Sequence, residues 1–247
     1  MGEADLYSGY TNWKQWRGDF SANAHQSRYF AAELAGVPLG GRRVLEIGFG
    51  DGAFLAWAKA QGAVIAGTET HASIIDAARA RGFDAHPADL DVLLAACRRF
   101  DLVVAFDVIE HWDMQTLIAN LKRIQALLDD GGLLLARFPN GQSPFGRVHQ
   151  YGDITHKSVL SVSSITQLAQ MSGFDVVRVG NAARVPARLD PWTLLKFHWR
   201  RFRRARIERV IGKLYGTGRL AFDLNLTVVL RKAPPHTAPE VEGMGTR

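Results

Sequence analysis

Between residue 42 and about residue 180, short apolar runs alternate with stretches in which apolar residues recur at helical spacing. The short runs at 43–48, 63–68, 83–87, 101–107, 133–138 and 174–180 predict strands. Helices are predicted between them, over 52–61, 72–81, 114–128 and 164–172. Ser164 and Gln167 have capping-box spacing at the start of the last helix, and Gly131-Gly132 predicts the turn into the fifth strand. A final alternation over 220–232 predicts a seventh strand. Strands that alternate with helices make a parallel sheet covered by those helices, an α/β fold.

The first strand ends in a distinctive way. Residues 44–52, VLEIGFGDG, run from buried aliphatics through Glu46 into Gly48, Gly50 and Gly52. Glycines here let the chain turn sharply and let a ligand approach the main chain, while the following helix aims its N-terminal amides at the same point. A dinucleotide loop reads G-x-G-x-x-G; here the third glycine comes one residue early, which leaves an NAD-dependent oxidoreductase as a minor alternative. Glu69 ends the second strand about 20 residues past the first glycine, where an acid accepts hydrogen bonds from ribose hydroxyls. Asp107, Glu110 and His111 close the fourth strand.

These elements, in this order, resemble the class I S-adenosylmethionine-dependent methyltransferases over about residues 42–180. The resemblance implies a Rossmann-like fold, a seven-stranded and mostly parallel sheet whose last strand runs antiparallel beside the sixth. It implies S-adenosylmethionine as cofactor, with Glu46, Gly48, Phe49, Gly50 and Gly52 around its methionine part and Glu69 on the ribose. Asp89 and Leu90 correspond to the pair that meets the adenine, and Phe106 and Asp107 to the segment lining the methionine end. Phe49 stands where a small residue is more usual, which is expected to narrow the pocket.

At 247 residues and 47% hydrophobic content the chain can bury one full core. A single domain is expected over 1–232. It comprises an N-terminal helical lid (1–41), the donor-binding core (42–180), an insertion (181–219) and the last strand (220–232), before a disordered tail (233–247). No apolar run reaches the length of a membrane span and the N-terminus has no secretory pattern, so a cytoplasmic location is expected. Cys97, in the helical pattern VLLAACRRF, is expected to be a buried thiol.

Charge is concentrated in the insertion. Between Lys196 and Lys213 lie eight cations and one acid, a local charge of +7 against +6 for the whole chain. Trp192, Leu195, Trp199 and Phe202 share one face of a helix through this segment. Aromatic and basic residues together suit an anionic membrane surface, so 192–215 predicts peripheral attachment to the inner face of a membrane. A basic helix packing its aromatic face on the domain is the simpler alternative; nucleic acid is a third and less expected partner, because no RNA-binding module accompanies the cations.

Methyl transfer needs alignment of donor and acceptor, and an alcohol acceptor also needs a base. His111, at the carboxyl edge, and His156, in the long loop 139–161, are the candidate bases, with Asp153 able to orient an imidazole. Glu110 and Tyr151 are candidate acceptor contacts, and Tyr10 and Trp13 candidate parts of an aromatic lid. No metal ligand set is expected. The stretch SPFGRVHQYGDITHKSVLS followed by a helix and GFDVV resembles methyltransferases of bacterial surface-polysaccharide biosynthesis, which implies a sugar hydroxyl as acceptor. A phenol or quinone-type small molecule, and a non-catalytic donor-binding protein, are the alternatives.

Overall fold

The computed structural model describes residues 13, 14, 16, 18–217 and 220–234. In chain order these form α1 (Ala24–Glu33), β1 (Arg43–Ile47), α2 (Ala53–Ala60), β2 (Val64–Glu69), α3 (Ala72–Ala80), β3 (Asp84–Pro87), α4 (Leu90–Ala95) and β4 (Phe100–Phe106). A short 3-10 turn (Ile109–His111) leads to α5 (Met114–Leu127), β5 (Leu128–Pro139), α6 (Arg147–Gly152), α7 (Val162–Met171), β6 (Phe174–Asn181), α8 (Pro191–Leu214) and β7 (Asn225–Lys232). The seven strands make one sheet in the order β3-β2-β1-β4-β5-β7-β6. β7 alone is antiparallel, to β5 on one side and β6 on the other. The order reverses at β1, which pairs with both β2 and β4, and this switch point opens the crevice where α/β sheets bind ligands.

Side chains of successive strand residues point to opposite faces, so the aliphatic runs feed two cores at once. Leu45, Val103 and Leu134 join Leu121 of α5 and Ile165 of α7 on one face. Val44, Leu102 and Leu135 join Phe30 of α1 and Phe54 of α2 on the other. Leu121 is fully buried, and its replacement by Ala should cost about 2–5 kcal/mol.

Three local readings need correction. Residues 128–132 belong to β5, because the ladder to β4 jumps from Phe100↔Leu128 to Leu102↔Leu133 and absorbs Gly131-Gly132 as an irregularity. α7 begins two residues earlier than predicted; Ser161 is its cap, and it exchanges hydrogen bonds with Ser164. Cys97 is exposed, with φ at +52°, because α4 has already ended at Ala95. The loop after β5 also contains the short α6. Residues 235–247, the bulk of the expected tail, lie outside the described residues.

The insertion between β6 and β7 is anchored by two buried acids. Glu33 accepts from Ala183 N at 2.6 Å, Thr227 Oγ1 at 2.8 Å and Tyr29 OH at 2.9 Å. Glu208 of α8 accepts from Asn181 Nδ2 at 3.0 Å, and Asn181 in turn accepts from Asp223 N. Both ends of the insertion are thereby tied to the carboxyl edge of the sheet. Yet the aromatic face of α8 does not pack on the domain: Trp192, Trp199 and Phe202 are 64%, 55% and 64% exposed.

Candidate active site

Beyond Ile47 the backbone enters the left-handed region at Gly48 and again at Gly50 (φ +67° and +51°), where a side chain would be strained. A Cβ on Gly48 would lie 2.6 Å from Val108 Cγ2, and one on Gly50 would lie 2.9 Å from the Trp16 ring. The loop is therefore a bare backbone strip forming one wall of a cavity of about 750 Å³. Gly52 has a different task from the one predicted: it starts α2, and a Cβ there would collide with the ring of Phe20, so it serves packing rather than the cavity wall.

Of the expected donor contacts, Glu46, Gly48, Phe49, Gly50, Glu69, Phe106 and Asp107 all line this cavity. Phe49 narrows it little, because its ring turns into the space that a Cβ on Gly67 would occupy, 2.7 Å away. Asp89 and Leu90 do not line it. Asp89 caps α4 by accepting from Asp91 N, and Leu90 is buried in the core, so Ala88 is the residue of that stretch that reaches the wall. Trp16 and His71 complete the rim as an edge-to-face pair with centroids 6.2 Å apart. Trp13, by contrast, is 56% exposed and does not line the cavity, and Tyr10 lies outside the described residues.

The acids of this wall are held in distinct ways. Glu69 Oε2 accepts from Gly50 N at 3.0 Å, while Oε1 accepts from Thr70 N and Oγ1, so this acid fixes the glycine loop. Glu46 Oε2 is buried with no hydrogen-bond partner among the described residues. Burial, then the neighbouring Asp51 and Glu69, push the Glu46 carboxyl well above the usual range. Asp107, with φ at +56°, receives the Arg137 guanidinium through two hydrogen bonds, Nε to Oδ1 at 2.8 Å and Nη2 to Oδ2. Arg137 also lies over the rings of Tyr29 and Phe106, 5.0 and 5.2 Å from their centroids.

The predicted acid–base residues meet at the end of β4. Segment 153–158 folds back onto the 3-10 turn, with Lys157 N and Ser158 N both donating to Glu110 O. This brings the His111 and His156 rings to a centroid distance of 4.8 Å. The Thr155 hydroxyl donates to Asp153, so His111 Nδ1 is the donor in its 2.9 Å contact with Thr155 Oγ1 and the lone pair falls on Nε2. Burial, then the nearby His156, lower the His111 pKa to about 4, which keeps the ring neutral at pH 7. Burial raises the Asp153 carboxyl, but Thr155 and the Lys14 ammonium, 3.2 Å away, outweigh it and hold it at about 2.

Of the predicted acid–base residues, His111 lines the cavity and His156 and Asp153 do not. His156 sits behind His111, with Nδ1 2.9 Å from Gln150 O and Nε2 3.8 Å from both Glu110 and Asp153. Glu110 is buried, and burial with Asp107 nearby raises its pKa well above normal. Ligand atoms of Glu110, His111 and His156 lie within 4.8 Å of one another and could hold a divalent cation, a grouping that loop 139–161 hid from the sequence. Tyr151 is 66% exposed on the far side of α6 and lies away from this cavity.

A second cavity, of about 900 Å³, opens between α8 and the carboxyl edge. It adjoins the first, because Arg137 lines both. The sequence predicted the helix but not the cavity beneath it.

The first cavity fits the donor that the resemblance implies. Five carboxylates and three cations line it, which complements a ligand carrying a sulfonium and an ammonium, and the unpartnered Glu46 oxygen offers an acceptor next to the glycine strip. Comparisons agree. The fold resembles a SAM-dependent methyltransferase from Archaeoglobus fulgidus (18% identity, TM-score 0.62, covering 91% of this chain and 100% of that one). It also resembles an S-adenosylmethionine-dependent methyltransferase from Mesorhizobium loti (16%, 0.55, 83% and 97%). Magnesium protoporphyrin IX methyltransferase from Synechocystis with bound SAM is a third (16%, 0.54, 93% and 94%). No protein of curated function matches the sequence. Residues 24–179 match the methyltransferase domain family. The match spans more than half of the chain, which therefore belongs to that family and is a methyltransferase enzyme with S-adenosylmethionine as its cofactor.

Proposed function

We propose that the enzyme O-methylates a sugar hydroxyl of a bacterial glycan or lipid-linked saccharide. The observation that carries this reading is the polar segment 153–158 folded onto the 3-10 turn, which sets His111 at the cavity wall with Nδ1 held by Thr155. When bound, S-adenosylmethionine supplies an electrophilic methyl group. His111 takes the hydroxyl proton at Nε2 as the new bond to carbon forms. Asp153 acts through Thr155 to fix the ring, and His156 backs it. Because the His111 ring is a weak base, alignment supplies most of the rate, on the order of 7–11 kcal/mol of barrier for well-oriented reactants. In the test, His111→Ala should keep donor affinity and lose turnover by roughly 10²–10⁴-fold. Unchanged turnover would remove His111 from the chemistry. Mass spectrometry of glycans from cells with and without the protein identifies the acceptor.

The outward face of α8 supports a second element of the reading, attachment to an anionic membrane. No helix of the described residues is long and apolar enough to cross a membrane. Trp192, Leu195, Trp199 and Phe202 nevertheless project from the carboxyl edge, exposed, with Arg203 stacked on Trp199. Such a face would bring the active-site mouth to a membrane-borne acceptor. Co-sedimentation that shows no preference for anionic over neutral vesicles would exclude it.

A further inference from the structure

α8 does not sort its residues as an ordinary surface helix does, with apolar residues inward and charges outward. Thr193, Lys196, Phe197, Arg200, Arg201, Arg204 and Glu208 recur at three- and four-residue spacing and line the cavity beneath the helix. Trp192, Leu195, Trp199 and Phe202 occupy the opposite face and are exposed. Like charges four residues apart, Lys196, Arg200 and Arg204, weaken an isolated helix, so helix stability does not explain the pattern.

Six cations and two acids line the cavity. Arg137 is paired with Asp107, and Arg184 with Asp223. Among the described residues no ion pair reaches Lys196, Arg200, Arg201 or Arg204. Arg200, Arg201 and Arg204 thus border a space of about 900 Å³, enough for a saccharide with a diphosphate, with Lys196 beside them over the Trp192 ring and Glu208 as the one acid of the lining outside an ion pair. Converging guanidinium forks match the oxygens of phosphate better than any neutral sugar surface.

We propose that this cavity is the acceptor site and that it binds a phosphate or diphosphate group carried by the acceptor. This deepens the O-methyltransferase reading and rests on it. With the phosphate under α8, the acceptor hydroxyl passes the shared wall at Arg137 to reach His111 in the donor cavity. The phosphate can belong to a soluble sugar phosphate or to the headgroup of a lipid carrier.

The test uses the full chain, inorganic pyrophosphate and glucose 1-phosphate as soluble probes, and vesicles of phosphatidylcholine with and without phosphatidylglycerol. Calorimetry should show pyrophosphate binding that weakens as salt rises. The triple variant Arg200→Ser, Arg201→Ser, Arg204→Ser should lose at least about tenfold of it while retaining S-adenosylmethionine affinity, which also reports that the donor domain is folded. The corresponding triple Lys variant, which keeps the charges, should recover most of the binding. Trp199→Ala with Phe202→Ala should leave pyrophosphate binding unchanged and reduce only vesicle binding. Glucose 1-phosphate that competes with pyrophosphate points to a soluble acceptor; competition by phosphatidylglycerol vesicles alone points to a lipid carrier. No pyrophosphate binding, or binding equally strong in the Ser variant, overturns the proposal. Anion binding without methyl transfer to any saccharide would leave this site in place and refute the glycan reading instead.

Discussion

The two cavities that share Arg137 are opposite in charge: the donor side presents five carboxylates and three cations, the α8 side six cations and two acids. Each polarity suits one reactant. An acidic wall attracts a sulfonium and an ammonium, a basic wall attracts phosphate, and each repels the other's ligand. The difference also separates two ways of building a site. The donor wall comes chiefly from consecutive residues at strand ends, held by backbone turns and by the Glu69 hydrogen bonds. The cations peculiar to the second cavity come chiefly from one helix, held at the sheet edge by Glu208 and Asn181.

The largest effect should come from the donor side. Gly50→Arg forces a side chain into left-handed backbone against Trp16 and removes the bare strip, so calorimetry should find S-adenosylmethionine binding abolished with the circular dichroism of the fold retained. Tight NAD binding by the wild type in the same experiment would contradict the donor assignment. Next comes the shared wall. Arg137→Met leaves Asp107 without its bidentate partner and removes the cation from both cavities. Turnover should fall by roughly 10–100-fold, with both donor and pyrophosphate affinities reduced. An effect confined to one ligand would show that the cavities are independent.

A smaller effect separates the faces of α8. Trp199→Ala with Phe202→Ala should weaken binding to anionic vesicles several-fold, while donor affinity stays the same. The smallest effect is on stability. The folded His111 pKa of about 4 lies below its unfolded value of 6.5, so the unfolded chain binds more protons between these values. Stability is full above about pH 6.5 and declines as pH falls toward 4. His111→Asn should flatten this decline in thermal unfolding between pH 7 and 5; an unchanged slope would locate the titration elsewhere.

What was legible in the sequence follows the same division. The strands and the acids at their ends could be read because each is encoded within a few consecutive residues, whereas the antiparallel last strand followed from the family resemblance. Asp89 and Leu90, expected on the adenine side, do not line the cavity, since Asp89 caps α4 and Leu90 enters the core, which consecutive residues alone do not reveal. Gly52 and Phe49 could not be understood locally either, because their partners, Phe20 and Gly67, are distant or on another strand. Trp16 rather than Trp13 lines the cavity, because Trp16 stands against the distant Gly50 of the glycine loop. The cations of 196–204 were visible as charge, but sequence alone assigned them to a membrane. That they line a cavity depends on which face Glu208 turns inward, a long-range fact.

The most direct measurement is transfer of a labelled methyl group from S-adenosylmethionine to a bacterial lipid-linked saccharide pool, with donor binding followed in parallel. The account predicts label in a phosphate-bearing saccharide with the wild-type enzyme. With the Arg200→Ser, Arg201→Ser, Arg204→Ser enzyme it predicts at least about tenfold less label, at a donor affinity within about twofold of wild type. Equal labelling by both enzymes, or label confined to molecules without a phosphate, would contradict it.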